Sequence, residues 1–212
     1  MSTLVTESTE RRANLRIGIL GGTFDPVHVG HVTLAARAAD ALHLDRVLFV
    51  VAGTPPFKQD RVLAPASDRY RMVQLACAND DRLEACDIEL HRLGVSYSID
   101  TLRELRERAD AAGADAQFFF LLGSDAADQL DLWKDADQLT QLATFVVVPR
   151  AETPPCCSSS KLNEPSEMTL PLDIPAVSSC DIRARLAERR DVTDLLPAAV
   201  ATYITEHGLY HA

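Results

Sequence analysis

The chain has 212 residues, of which 47% are hydrophobic, and a formal net charge of −10, so it can form a substantial core but lacks the basic balance of a protein that binds nucleic acid polymers. No apolar run reaches the roughly 18 residues that a membrane-spanning helix needs, and residues 1–14 are too polar for a signal peptide. The five cysteines are an odd number, which disfavours a disulfide framework and favours a reduced, cytoplasmic location.

Apolar runs alternate with helical patterns along the chain. We expect residues 1–14 to be a disordered extension and residues 15–212 to form a single domain. The predicted elements are, in order, strand 17–20, helix 30–42, strand 46–52, helix 67–78 capped by Ser67, strand 83–89, helix 100–112, strand 117–122, a mostly helical stretch 126–142, strand 144–149, a surface loop 150–168, a short strand 168–174 and helices within 178–212. This alternation predicts a doubly wound, mostly parallel α/β sheet with its ligand site at the carboxyl ends of the strands.

Residues 21–31, Gly-Gly-Thr-Phe-Asp-Pro-Val-His-Val-Gly-His, connect the first strand to the first helix. The glycine turn lets the backbone approach an anion, and the N–H groups of a helix start bind phosphate. We therefore expect Gly21, Gly22 and Thr23 to contact a phosphate-bearing ligand, Phe24 to pack at the mouth of the site and Asp25 to be a structural turn residue. The string matches neither the P-loop nor the G-x-G-x-x-G fingerprint.

His28 and His31 stand at the start of that helix. Both suit hydrogen bonding to phosphate oxygens, which would stabilise the charge that develops in nucleotidyl transfer. Two alternatives remain: a zinc site, which would need a third ligand, and a structural pair with one histidine buried and the other exposed.

A second motif, Val-Ser-Ser-Cys-Asp-Ile-Arg at residues 177–183, precedes a helix. Ser178 or Ser179 can cap this helix. Arg183 is unfavourably placed near a helix amino terminus, which makes sense if a polyphosphate lies there. The alternative is an ordinary capped helix with a solvated arginine.

Further polar residues follow predicted strands. Lys58 lies in a proline-stiffened loop after the second strand and can reach a phosphate, unless it is merely solvated. Asp125 follows the fourth strand and suits a ribose, although it can also cap a helix. Cys77, Cys86 and Cys180 lie in or beside apolar patterns, and we expect them to be buried.

The two motifs resemble the T/H-x-G-H and I-S-S-T-x-I-R signatures of the bacterial nicotinate-nucleotide adenylyltransferases, in the nucleotidyltransferase superfamily. The resemblance extends over residues 16–210, including the ending Gly208-Leu209-Tyr210. It implies a Rossmann-like fold and transfer of AMP from ATP, with Mg²⁺, to nicotinate mononucleotide, giving deamido-NAD and pyrophosphate. It also implies a possible homo-oligomer.

The resemblance also assigns roles to residues. It implies catalytic roles for His28, His31, Lys58 and Arg183. ATP would be bound by the motif residues already named and by Asp125, Ser178 and Ser179. Nicotinate mononucleotide would be bound by Lys58, by the ring of Trp133 and by the backbone amide of Ser98, which stands where the family usually has threonine. Phe57 stands where the family often has histidine, so no role is carried over to its side chain.

Other functions remain open from the sequence alone. One alternative is a superfamily member with nicotinamide mononucleotide or phosphopantetheine as its acceptor. A second is a nucleotide sensor without catalytic activity, and a third is a zinc-dependent hydrolase.

Overall fold

A computed structural model describes residues 14–54, 64–149 and 167–210. Within these ranges six strands form one sheet in which every pairing is parallel. The strands are β1 (Asn14–Gly22), β2 (Arg46–Val51), β3 (Leu83–Cys86), β4 (Asp115–Gly123), β5 (Thr144–Val148) and β6 (Glu167–Thr169). Their order in the sheet is β3-β2-β1-β4-β5-β6, so the direction of winding reverses between β1 and β4.

Helices cover both faces of the sheet. Their bounds are α1 (Val29–Leu42), α2 (Ala66–Cys77), α3 (Ser98–Ala111), α4 (Ser124–Ala127), α5 (Ala136–Leu142), α6 (Ser179–Ala187) and α7 (Ala198–Glu206), with a 3-10 turn at Leu130–Leu132. Apolar residues of α1, α2, α6 and α7 share one buried cluster, and those of α3, α4 and α5 share a second. This arrangement confirms the predicted doubly wound, Rossmann-like α/β class, with a wholly parallel sheet among the described strands.

The central strand β4 supplies both clusters because successive side chains of a strand point to opposite faces. Phe118, Phe120 and Leu122 pack in the cluster with α3, whereas Phe119 and Leu121 pack in the cluster with α1. None of the described helices is both long enough and apolar enough to cross a membrane.

The stretch 126–142 is mostly helical, as predicted, but it is interrupted in its middle. The chain forms α4, the 3-10 turn and α5 separately, with Trp133 extended and Asp135 in the left-handed region at φ 54°. The extended backbone at Trp133 places its ring edge-on to Phe120 at a centroid distance of 5.7 Å. The break thus coincides with the packing of the Trp133 ring on Phe120 and with the left-handed turn at Asp135.

Other element boundaries differ in smaller ways. Helix α2 begins at Ala66 with Pro65, not Ser67, at its cap position. The third strand ends at Cys86 rather than residue 89, and the sixth covers residues 167–169 rather than 168–174. The tail is divided into two helices, α6 and α7.

The cysteine prediction holds for Cys77, which is buried, and partly for Cys86, which is half-buried, but it is wrong for Cys180, which is exposed. Ile182 and Leu186 supply the buried face of α6, so Cys180 lies on its outer side. Burial raises the pKa of the Cys77 thiol to about 12, which makes it unreactive at neutral pH. Phe57, Lys58, and most of the predicted extension and of loop 150–168 lie outside the described residues.

Candidate active site

A cavity of about 440 Å³ lies at the carboxyl ends of β1, β2 and β4, beside the point where the strand order reverses. This is the position at which open parallel sheets bind ligands. Six predicted site residues line it together: Gly21, Gly22, Thr23, Ser98, Asp125 and Trp133.

One side of the cavity is aromatic. The partly exposed ring of Trp133 contacts Phe120 edge-on, and Phe120 in turn stacks on Phe145 at a centroid distance of 5.3 Å. The core thus supports the indole from behind. A ring held in this way provides a large flat surface for a planar ligand at a small cost in side-chain entropy.

The start of α3 forms another side of the cavity. Ser98 is the first residue of the helix, and Tyr97 occupies its cap position. The Nζ atom of Lys134 lies 4.8 Å from the centroid of the Tyr97 ring and 3.1 Å from Oδ2 of Asp100, in the first turn of α3. The cavity therefore meets the positive end of a helix dipole as well as a lysine.

Glu89 is a cavity residue that the sequence analysis did not identify. Its side chain is buried, and Oε1 accepts a hydrogen bond of 2.6 Å from the Thr101 hydroxyl. Burial raises the pKa of Glu89, and hydrogen bonds from Thr101 and Ser96 partly offset that rise. The Ser96 Oγ atom also accepts hydrogen bonds from the Gly53 and Thr54 amides at 3.2 and 3.4 Å. Glu89 and Ser96 thus join the α3 side of the cavity to the end of β2.

Asp125 also lines the cavity, as the second residue of α4. The cap position of α4 is occupied by Gly123, so the alternative assignment of Asp125 as a helix cap is wrong. Its exposed carboxylate at the cavity suits a ligand that carries hydroxyl groups.

His28 and His31 follow the cavity-lining residues Gly21, Gly22 and Thr23 along the chain, His28 at the cap position of α1 and His31 in its first turn. Their rings stack at a centroid distance of 3.7 Å, and the His28 backbone N–H donates a 3.3 Å hydrogen bond to Nδ1 of His31. Since Nδ1 of His31 is an acceptor there, the proton of the neutral ring is on Nε2. His31 can therefore donate a hydrogen bond from Nε2 to an anion.

The backbone amides of α1 do not meet the expectation drawn from the sequence. A helix start normally leaves four amides without an intrahelical partner, but three of them are already engaged here. The His28 amide donates to Nδ1 of His31, the Val29 amide to the Leu195 carbonyl, and the His31 amide to the His28 carbonyl. Leu195, whose carbonyl accepts the hydrogen bond from the Val29 amide, belongs to the segment before α7. A phosphate at this turn would therefore be bound by groups other than these three amides, such as the His31 side chain.

Phe24 is buried at 2% exposure and does not lie at the mouth of the site. Its ring contacts His31 edge-on at a centroid distance of 5.1 Å and packs beneath Gly22, where a Cβ atom would come within 2.8 Å of the ring. Gly30 is similarly close to its neighbours, since a Cβ atom there would lie 3.1 Å from both Nδ1 of His28 and the Pro175 carbonyl. The motif glycines thus make room for Phe24 and His28.

The second motif packs directly against the first. Ser178 caps α6, as predicted, by accepting a 3.2 Å hydrogen bond from the Cys180 amide. The Ser179 hydroxyl donates to the Pro26 carbonyl at 2.9 Å, and Arg183 donates to the Asp25 carbonyl at 2.7 Å. The structure therefore brings Arg183 to the same turn that carries the histidines.

Asp25 has the structural role predicted for it. Its buried Oδ1 atom accepts hydrogen bonds from the Ala64 amide at 3.1 Å and from the Tyr210 hydroxyl at 2.7 Å, while Oδ2 lies 4.0 Å from Nη1 of Arg183. The peptide bond between Asp25 and Pro26 is cis.

Arg69 is a second residue that the sequence analysis missed. It is 1% exposed, and its guanidinium donates to four carbonyl groups, at 2.7–3.3 Å, those of Thr23, Ala52, Gly53 and Ala64. Desolvation lowers its pKa, and the charge of Asp25 opposes that effect. Arg69 thus holds the ends of β1 and β2 together where they meet the cavity.

The described residues contain no group of three or more His, Cys, Asp or Glu side chains that could hold a metal ion.

A parallel sheet with a cavity at its reversal point, a glycine turn and a pair of histidines defines a nucleotide-binding α/β protein. The family described as Cytidylyltransferase-like matches residues 19–185. A probable nicotinate-nucleotide adenylyltransferase of Thermus thermophilus is 44% identical over 198 residues, which cover 92% of this chain and 100% of the relative. Another, from Shouchella clausii, is 41% identical over 195 residues, covering 92% and 96%. The chain therefore belongs to the cytidylyltransferase-like family, among the nicotinate-nucleotide adenylyltransferases.

Among solved structures, the fold is similar to that of Plasmodium falciparum nicotinic acid mononucleotide adenylyltransferase complexed with NaAD. The TM-score is 0.73 at 20% sequence identity, with 93% of this chain and 98% of that chain covered. This similarity concerns the fold.

Proposed function

We propose that this protein transfers AMP from ATP to nicotinate mononucleotide, forming deamido-NAD and pyrophosphate. The observation that carries the proposal is the turn that follows β1. Gly21, Gly22 and Thr23 line the cavity together with Trp133 and Ser98. The same turn continues to Asp25, whose carbonyl accepts a hydrogen bond from Arg183, and to His28, which stacks on His31. One short segment thus connects a place for a planar acceptor to a place for phosphates.

The relatives support the same reaction. The proteins from Thermus thermophilus and Shouchella clausii carry the name of this activity, and each aligns with more than nine-tenths of the chain. The Plasmodium falciparum enzyme with the same fold was determined with NaAD bound.

The chemistry requires alignment more than a strong base. A phosphate oxygen of the mononucleotide attacks the α-phosphorus of ATP and forms a new P–O bond, while the P–O bond to pyrophosphate breaks and its electron pair leaves with pyrophosphate. The nucleophile is already an anion, so no proton has to be removed. Positioning and stabilisation of charge then account for most of the rate enhancement.

In this proposal the cations and hydrogen-bond donors act on the phosphates of ATP. His31 donates from Nε2 to the oxygens that gain charge in the transition state, and His28 stacks on it and fixes its orientation. Arg183 and Lys58 stabilise the leaving pyrophosphate. Mg²⁺ would enter with ATP as part of the substrate and would offset part of the negative charge of its phosphates.

The acceptor would occupy the cavity. Its pyridine ring would stack on Trp133, and its carboxylate would lie at the amino-terminal end of α3 near Ser98. Asp125, at the same cavity, would accept hydrogen bonds from the ribose hydroxyls of ATP. A helix start favours an anion over a neutral group, which is why we propose nicotinate rather than nicotinamide as the preferred base. Cytoplasmic location and a homo-oligomeric state stay predictions.

The test is release of pyrophosphate from ATP with nicotinate mononucleotide, nicotinamide mononucleotide and phosphopantetheine supplied in parallel. We expect the highest kcat/KM with nicotinate mononucleotide. Higher kcat/KM with either other acceptor would refute the proposed substrate, and no release with any of them would refute the proposed reaction.

A further inference from the structure

Tyr210 lies four residues after α7 and returns toward the first motif. Gly208 adopts a φ of +61°, and the Leu209 amide donates to the Ile204 carbonyl at 3.0 Å, so the chain turns sharply at the end of the helix. The turn brings the Tyr210 hydroxyl to Oδ1 of Asp25 at 2.7 Å. The ending Gly208-Leu209-Tyr210 thus contacts the turn that precedes the histidine pair.

The Asp25 carboxylate lies between groups from several parts of the chain. Oδ1 accepts from Tyr210 and from the Ala64 amide, and Oδ2 faces Arg183 at 4.0 Å. Arg183 is held instead through the Asp25 carbonyl, at 2.7 Å. That hydrogen bond uses one N–H of a guanidinium that has five, so Arg183 is anchored beside the turn without a close contact to the carboxylate.

We propose that Tyr210 is a positioning residue, which satisfies the Asp25 carboxylate and thereby keeps Arg183 oriented toward the phosphates of ATP. The inference rests on the proposed function, because it concerns the phosphate side of that site. Its physical basis is competition for a buried charge.

A buried carboxylate is unfavourable unless it is paired or hydrogen-bonded. Without the Tyr210 hydroxyl, the Arg183 guanidinium, whose Nη1 atom already lies 4.0 Å from Oδ2, can move to compensate Asp25, and a direct carboxylate–guanidinium contact would be strong. Arg69 also interacts with the charge of Asp25, but its guanidinium is held by four carbonyl groups. Arg183 would then turn from the phosphates toward Asp25. Burial and the hydrogen bond to Asp25 raise the pKa of Tyr210, so the hydroxyl is protonated and donates at neutral pH.

The same segment offers a matched control. The hydroxyl of Tyr203, on α7, donates to Oδ1 of Asp68 at 2.8 Å. This tyrosine–aspartate hydrogen bond joins α7 to α2 and does not involve the turn. Tyr203→Phe and Tyr210→Phe therefore remove the same atom from the same kind of hydrogen bond, and only the second removal bears on Arg183.

The experiment measures kcat, both KM values and Tm for Tyr210→Phe and Tyr203→Phe with ATP and nicotinate mononucleotide. We expect Tyr210→Phe to lower kcat about ten-fold and to raise the KM for ATP, with the KM for nicotinate mononucleotide unchanged. We expect Tyr203→Phe to leave kcat within about two-fold of the parent enzyme. Equal kinetic constants for the two variants would overturn the inference, whatever their Tm values.

A second comparison isolates the carboxylate charge. In an Asp25→Asn background the competing charge is gone, so adding Tyr210→Phe is expected to change kcat by less than about two-fold. A full ten-fold loss in that background would also overturn the inference. Absence of pyrophosphate release by the parent enzyme would instead refute the proposed function, which separates the two failures.

Discussion

Replacing Arg69 tests how the site is held in place. Arg69→Met keeps much of the side-chain volume and removes the guanidinium that donates to four carbonyl groups at the ends of β1 and β2 and at Ala64. It also removes the cation whose charge interacts with Asp25. Removing one partner from a buried charged network typically costs about 3–5 kcal/mol of the free energy of unfolding.

The structure explains why the expected loss is not the sum of four separate hydrogen bonds. Burying the Arg69 guanidinium costs desolvation free energy, and the variant no longer has this cost. The carbonyl groups at the rim of the cavity can also bind water after the substitution. We therefore expect Arg69→Met to lower the free energy of unfolding by about 3–5 kcal/mol. The free energy of unfolding of Arg69→Lys should lie between those of the parent and Arg69→Met, since an ammonium reaches fewer of these carbonyls.

The assay is urea unfolding followed by far-UV circular dichroism. The control is Arg71→Met on the same helix, because Arg71 is exposed and donates to Gln74; its effect should stay within about 0.5 kcal/mol. If Arg69→Met lowers the free energy of unfolding by less than about 1 kcal/mol, the carbonyl contacts do not hold the strand ends and the reasoning fails.

Three further predictions concern single side chains. His31→Ala should lower kcat about 100-fold to 1,000-fold with the fold intact, because it removes the Nε2 donor from the transition state, as steady-state pyrophosphate release would measure. Trp133→Ala should raise the KM for nicotinate mononucleotide about ten-fold and leave that for ATP nearly unchanged, since stacking on a heterocyclic base accounts for about 1–3 kcal/mol. Glu89→Gln should gain stability relative to the parent as pH rises above 4.5, the ordinary pKa of Glu, as unfolding at several pH values would measure. Because its pKa is raised, Glu89 binds a proton more readily in the folded state than in the unfolded state. Protonation of Glu89 therefore adds to the free energy of unfolding of the parent below pH 4.5, and this contribution is lost as pH rises through the raised pKa.

Each of these predictions has its own control. His91→Ala, an exposed histidine paired with Asp87, should leave kcat unchanged, and an equally small effect at His31 would contradict its role. Trp133→Phe should recover part of the affinity, and equal rises in both KM values for Trp133→Ala would make the residue structural. A stability difference between Glu89→Gln and the parent that does not vary with pH would contradict the shifted pKa.

Strands β1, β2, β4 and β5 were predictable because each contains a buried apolar run. The bounds of β3 and β6 were not, because these strands are short and mostly not buried. The contact between the two motifs was also predictable in outline, since a strand end and a helix start on the same sheet edge must meet. The break at Trp133 was not, because it accompanies a contact with Phe120, which is distant in the chain, and because neither glycine nor proline marks it. The hydrogen bond from the Val29 amide to the Leu195 carbonyl was not predictable either, because the two residues are far apart in the chain.

Arg69 was missed because charged residues are ordinarily assigned to the surface. A signal was present, since Arg69 shares the helical spacing of the buried Met72, Val73 and Ala76. Glu89 was hidden by its place at the end of a predicted strand. Its burial depends on Ser96 and Thr101, which only the folded chain brings together.

The alternation along β4 has a consequence for how the two substrates are supported. Phe120 belongs to the cluster beneath Trp133, whereas Phe119 and Leu121 belong to the cluster that includes Phe24, the residue against His31. In the proposed reaction, Phe120 supports the ring that binds the acceptor, whereas Phe119 and Leu121 belong to the cluster that supports His31, which binds ATP, through Phe24. Neighbouring residues of one strand therefore support different ligands. The two halves of the site share the backbone of β4, but their side chains can vary in sequence separately.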